Sequence, residues 1–253
     1  MSLITNELVK SSMVITLNRP EKRNALSPEM ITELTVTVRK AIDDQAVKSI
    51  IITGSEKAFC AGADLDYLNN LRKYKAADNE RDSKMLAELF LTIYNSPKPT
   101  ISAVNGPAIA GGCGLAIVCD FAVAHTQLAT FGFTEVRIGF LPAIVSVFLV
   151  KRIGEYQARK LLITGEIIHA ANAHAIHLVD ELSETPLRRA VEIGFLLASN
   201  SCESIKSTKD LIRVCGNLSA DEAIPYLSRM NAVARFSKDF KSGLEKFLNK
   251  KEK

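Results

Sequence analysis

Ala103-Val-Asn-Gly-Pro-Ala-Ile-Ala-Gly-Gly-Cys-Gly-Leu115 is an apolar β-type run that breaks at Asn-Gly-Pro and reopens as a helix start built from small residues. Ala58-Phe-Cys-Ala-Gly-Ala-Asp-Leu65 repeats that grammar more briefly, again after an apolar run. The first N–H groups of a helix have no intrahelical acceptor, and small side chains let a ligand approach them closely. Two such turns can aim two amide donors at one oxygen that gains negative charge, which is what stabilising a thioester enolate requires.

Outward from these turns the chain alternates. Met13–Leu17, Ser49–Thr53 and Thr100–Val104 read as strands, and Pro28–Asp44 as a helix. Ser27 is placed to cap that helix ahead of Pro28, and Ile31, Leu34, Val38, Ala41 and Ile42 share one face. The pattern predicts an α/β core. Beyond Pro186 the strand signals fade, and helices are expected over 187–199, 203–214, 220–235 and 239–250. Asp66–Lys84 is so rich in charge that it reads as a solvated face or mobile loop, with a role as an access flap as the alternative. No self-similar period is present in the sequence.

The 253 residues, 47% hydrophobic and 24% charged, suffice for a substantial core. A net charge of +4, spread over most of the length, gives no nucleic-acid surface. Cys60, Cys113, Cys119, Cys202 and Cys215 are odd in number and lack CxxC spacing, so neither a disulfide framework nor a zinc site is expected and a reducing cytoplasm fits. No signal pattern and no long apolar run argues for secretion or a membrane. His169, His174 and His177 read as surface or packing residues rather than metal ligands.

Asn18-Arg-Pro-Glu-Lys-Arg-Asn-Ala-Leu-Ser27, Ala61-Gly-Ala-Asp-Leu65, Asn105-Gly with Ala110-Gly-Gly-Cys113, Cys119-Asp120 and Glu135-Val-Arg-Ile-Gly139 occur in that order. Together with Asp239-Phe-Lys-Ser-Gly-Leu-Glu-Lys-Phe247 they resemble the crotonase (enoyl-CoA hydratase/isomerase) superfamily over nearly the whole chain. The resemblance implies a spiral of ββα units carrying the acyl-CoA site over residues 1–190. It also implies a helical trimerisation region over 191–253, and assembly as a homotrimer or a pair of trimers. It makes the N–H groups of Ala63 and Gly111 the oxyanion hole, with Gly112 beside them. Lys22, Arg23 and Ala25, together with Ala61, Gly62, Asp64 and Leu65, would cradle coenzyme A, which enters as part of the substrate with no other cofactor. Phe247 and Lys250 match positions that reach a neighbouring subunit's nucleotide. The Gly139–Val145 stretch departs from the glycine-rich turn of many straight-chain hydratases, which keeps hydratases of branched substrates such as 3-methylglutaconyl-CoA among the relatives considered.

Gly114 is the main departure. Many hydratases of the superfamily place one glutamate there and a second at the position of Glu135. Glycine can neither hold a proton nor orient water through a side chain. The expectation is a single acid/base, Glu135, framed by Phe131, Phe133, Val136, Ile138, Phe140 and Leu141 and so raised in pKa by desolvation. One carboxylate suits double-bond isomerisation; hydration and acyl-CoA binding without turnover are the alternatives. Asp66 stands where many relatives carry a phosphate-holding lysine.

Overall fold

In the computed structural model, which describes residues 2–249, the chain winds repeatedly through strand, strand and helix. The first turn enters through β1 (Ile4–Val9) and β2 (Ser12–Leu17), touches a second layer at Leu26 and leaves by α1 (Pro28–Asp43). The second runs through β3 (Ser49–Gly54), an extended segment at Cys60–Ala63, then α2 (Leu65–Leu71) and α3 (Ala76–Tyr94). The third is β4 (Thr100–Val104), β5 (Ala108–Ile109) and α4 (Gly111–Ile117). The fourth is β6 (Phe121–His125), β7 (Thr130–Gly132) and α5 (Ala143–Thr164), broken at Gly154. β8 (Ile167–His169), α6 (Ala170–Ala175), β9 (Glu181–Ser183) and α7 (Pro186–Leu197) close the spiral.

The first strands of the turns build a six-stranded sheet in the order β1-β2-β3-β4-β6-β9, antiparallel only between β1 and β2. The second strands build a small sheet, β5-β7-β8, which the bridges Cys60–Ala108 and Leu26–Ala63 extend toward the earlier turns. β3 is buried at every position, as a strand with parallel neighbours on both sides must be. Its side chains alternate: Ile50 and Ile52 join the main core beside α1, whereas Ile51 faces a second cluster with Val14, Ile101, Val123 and Ala190 of α7. α1 starts as its sequence predicts, with Ser27 Oγ accepting from Met30 N and the face of Ile31, Leu34, Val38 and Ala41 buried.

Asp66–Lys84 is a correction. The stretch is mostly helical, divided between α2 and the first half of α3. The apolar stripe of α3, Leu89, Phe90 and Ile93, lies in its second half, so the first half shows no helical period. That half is supported by surface pairs instead, Glu80 to Lys84 at 2.7 Å and Asp78 to Arg81 at 3.1 Å.

The spiral is one compact unit through Leu197, because α7 packs on β3, β4 and β6; a division after residue 190 would cut that helix. The second unit, from Ala198, holds α8 (Cys202–Cys215), α9 (Ala220–Ala234) and α10 (Lys238–Asn249), started respectively by a Ser201 cap, a Ser219–Glu222 capping box and Asp239 in the first turn. No helix among the described residues is long and apolar enough to cross a membrane.

Candidate active site

The small sheet brings the two turns together. Leu26 N donates to Gly62 O at 2.7 Å and Asp64 N donates to Leu26 O at 3.0 Å, a parallel bridge that turns Ala63's own N–H away from Leu26. Gly62 makes this possible: its φ is +87°, and a Cβ there would lie 2.7 Å from Ile109 O. In the other turn, Ala110 N donates to Gly132 O at 2.7 Å, and the first bond of α4 runs from Gly114 N to Ala110 O at 3.0 Å. The N–H groups of Gly111, Gly112 and Cys113 therefore precede the helical ladder. Gly112 lies so close to the neighbouring turn that a Cβ would stand 2.2 Å from Cys60 O.

Ala63 and Gly111 line one cavity of about 300 Å³, together with Glu135. Glu135 opens a short 3-10 turn, Glu135–Ile138, that ends on left-handed Gly139. The residue is only 8% exposed, and its Oε2 is buried with no hydrogen-bond partner among the described residues. Burial raises its pKa above the ordinary glutamate value, against a smaller opposing effect from its own backbone N–H. The expected apolar frame is half right. Phe131 and Phe133 are fully buried, but Ile138, Phe140 and Leu141 line the cavity while each remains more than half exposed.

Residues 7–253 match the model of the enoyl-CoA hydratase/isomerase family. The chain belongs to that family. A Thermus thermophilus protein named for enoyl-CoA hydratase is 40% identical over 240 residues, 94% of each chain. The crotonyl-CoA hydratase of Syntrophomonas wolfei is 33% identical over 244 residues, 94% of this chain and 92% of its own. The solved structure of an enoyl-CoA hydratase from Shewanella pealeana superposes with a TM-score of 0.94 at 26% identity, covering 98% of this chain and 94% of that one.

At Gly114 the surroundings leave little room for a side chain. A Cβ at that position would meet Val145 Cγ1 at 2.5 Å and Phe90 Cε2 at 2.8 Å. The space that a second glutamate needs is filled by α3 and α5. Cys113, beside it, is fully buried; burial raises its pKa first, and the nearby Glu135 carboxylate adds to the effect. Cys60 is likewise buried, its thiol pushed up to about 12, so both behave as inert packing groups.

The residues expected to hold coenzyme A divide into two groups. Ala61, Ala63 and Leu65 line the cavity, with Gly62 and Gly112 behind them as backbone spacers. Ala25 is buried, its N–H bonded to Lys22 O at 3.0 Å and its carbonyl accepting from Arg19. Asp64 serves the turn itself: one carboxylate oxygen accepts from Asp66 N and Tyr67 N, and the other pairs with Arg19 at 2.7 Å. Burial raises the Asp64 pKa, yet those bonds outweigh it and the net shift is downward. Lys22 is held by Asp66 at 2.6 Å on the exposed rim, and Arg23 stands exposed at the left-handed end of the Pro20–Lys22 turn. Phe247 is exposed on α10 of the second unit, and Lys250 lies outside the described residues.

Sequence reasoning missed three contributors. Ala110 sits at φ +51°, ψ −122°, a conformation that favours glycine, immediately before the Gly111 donor. Asn24, fully buried at φ +56°, donates to Ser55 O and Ala58 O and accepts from Arg19 N, tying the loop before α1 to the chain before the first turn. Tyr67 and Asp82 meet across α2 and α3 in the cavity wall. Asn24 lay within a quoted motif and carried the signal; the other two depend on backbone angles and on the fold.

Proposed function

We propose that the protein moves the double bond of an enoyl-CoA between the 3- and 2-positions, with Glu135 as the proton carrier and the Ala63 and Gly111 N–H groups as the oxyanion hole. The observation that carries this reading is one buried carboxylate in the cavity, with the second glutamate position of the family closed by Phe90 and Val145. The Glu135 carboxylate removes a proton from C2 of a 3-enoyl thioester, and the C–H electrons delocalise onto the thioester oxygen and the conjugated double bond. The two amides hold the resulting charge, and each such donor is worth about 3 to 4 kcal/mol in the transition state. Glu135 then returns the same proton to C4, which leaves the double bond between C2 and C3. Hydration is the second reading, favoured by the names of the hydratase relatives; it leaves Glu135 as the buried carboxylate that activates water.

Purified protein and Glu135→Gln, assayed on 2-enoyl- and 3-enoyl-CoA with hydration and migration followed separately, test both. Migration falls by about 10² to 10⁴ in the variant. Glu135 must be ionised to accept the proton and burial raises its pKa, so the wild-type rate declines with acid above the ordinary glutamate range, a limb that Gln lacks. Glutamate-dependent hydration without migration replaces isomerisation by hydration; thioester binding with neither reaction makes the protein an acyl-CoA binder. Assembly as a trimer or a pair of trimers belongs to the same reading, supported by exposed Ile224, Val233 and Phe236 in the second unit. Sedimentation of the intact chain checks it.

A further inference from the structure

Tyr67 and Asp82 line the cavity and have no part in the proton transfer above. Tyr67 Oη, from α2, donates to Asp82 Oδ1, from α3, at 2.7 Å, and both side chains are half-buried. Burial and then the adjacent carboxylate raise the phenol's pKa, so it remains a donor. One turn beyond Asp82 on α3, Leu86 Cδ2 lies 4.0 Å from where a Cβ on Gly111 would stand, and a turn further Phe90 closes Gly114. Asp82 thus continues the α3 face that covers the reacting end, away from Gly114. Leu65, Leu68 and Leu71 are the apolar neighbours in the lining from α2. Among the described residues that line the cavity there is no lysine, arginine or histidine; its formal charges are Glu135 and Asp82, both acidic.

We infer that Asp82, fixed by Tyr67, is a specificity-determining residue that confines the pocket to thioesters with an uncharged acyl chain and turns away chains ending in a carboxylate. A carboxylate carried into this cavity loses hydration without gaining a cation and meets a like charge that a hydrogen bond holds in place. 3-Methylglutaconyl-CoA belongs to the rejected class. The inference rests on the enoyl-CoA reading.

The test compares two thioesters of equal length, 3-hexenoyl-CoA and its counterpart with a terminal carboxylate, by the ratio of their kcat/KM values. The wild type prefers the neutral chain by about a hundredfold, Asp82→Asn narrows the ratio at least fivefold, and Asp82→Lys narrows it further. Tyr67→Phe, which frees the carboxylate without removing it, narrows it less than Asp82→Asn. Circular dichroism confirms that each variant is folded. A wild-type preference below tenfold, or a ratio that a folded Asp82→Lys leaves unmoved, overturns the proposal. Should neither thioester react, the enoyl-CoA isomerase reading fails by itself, and the ratio of calorimetric Kd values for the two thioesters decides the charge selectivity by the same thresholds.

Discussion

The Ala61–Leu65 turn adds side-chain ties to its main-chain bridge with Leu26, whereas the Ala110–Gly112 turn is held by main-chain contact. Around the first, buried Asp64 pairs with half-buried Arg19, Asn24 holds Ser55 O and Ala58 O, and Asn105 accepts from Gly54 N and donates to Glu56 O. Around the second, Gly112 presses on Cys60 O, Ala110 N reaches Gly132 O, and the strained φ of Ala110 aims the next amide. Ala63 and Gly111 line the same cavity, yet their turns differ in what a substitution meets. Removing one side-chain tie leaves the first turn its remaining bonds, whereas a Cβ added at Gly112 meets Cys60 O and moves the neighbouring turn.

The sharpest way to break this contrast is Gly112→Ala. A methyl 2.2 Å from a carbonyl oxygen forces the two turns apart, and a loss of about 3 kcal/mol or more in urea denaturation is expected, with activity abolished. Gly111→Ala, whose methyl finds Leu26 Cδ1 at an ordinary 3.6 Å, keeps the fold; equal losses at the two positions would remove the distinction. Asp64→Ala strikes the other turn. It deletes a helix cap and the nearer of Arg19's two carboxylate partners, an expected loss of about 1–3 kcal/mol at neutral pH with a raised KM for acyl-CoA. Because the folded pKa of Asp64 lies below its ordinary value, its contribution is present above that ordinary value and fades as pH falls through the folded one. The gap between wild type and variant should therefore shrink in acid, and a gap independent of pH would point to lost packing instead. The smallest effect is at the rim. Asp66→Asn releases Lys22 for a phosphate and should tighten coenzyme A binding about twofold at low salt, a gain that titration calorimetry should find erased at high salt.

The same contrast explains what the sequence disclosed. Long apolar runs such as Ile50-Ile51-Ile52 and the capped start of α1 are local signals that led to an α/β core and three of its strands, whereas Ala63, Gly111 and Glu135, which line one cavity, were picked out by the family resemblance of their motifs. The small sheet was hidden because β5, β7 and β8 are two or three residues long, too short for any period to register. The start of α3 was hidden because surface ion pairs rather than an apolar stripe support it, and α2 because its seven residues are too few to set a clear period. With them went Tyr67 and Asp82, fifteen residues apart and joined only by the way two helices fold back. The closure of Gly114 was half visible: that a glutamate is missing there followed from the family resemblance, but that Phe90 and Val145 fill the space around it is a fact of packing between distant segments.

The spiral also sets an order in time. The cavity takes Leu26 from the first turn, Ala63 from the second, Gly111 from the third and Glu135 and Val145 from the fourth. As the chain leaves the ribosome, the parts of the cavity from the first turns are made well before Glu135 and Val145, and each added winding pairs its first strand onto the sheet edge left by the one before. The cavity is complete only when the fourth winding is in place, so any molecule that fills it adds its binding free energy to the finished spiral and not to a shorter one.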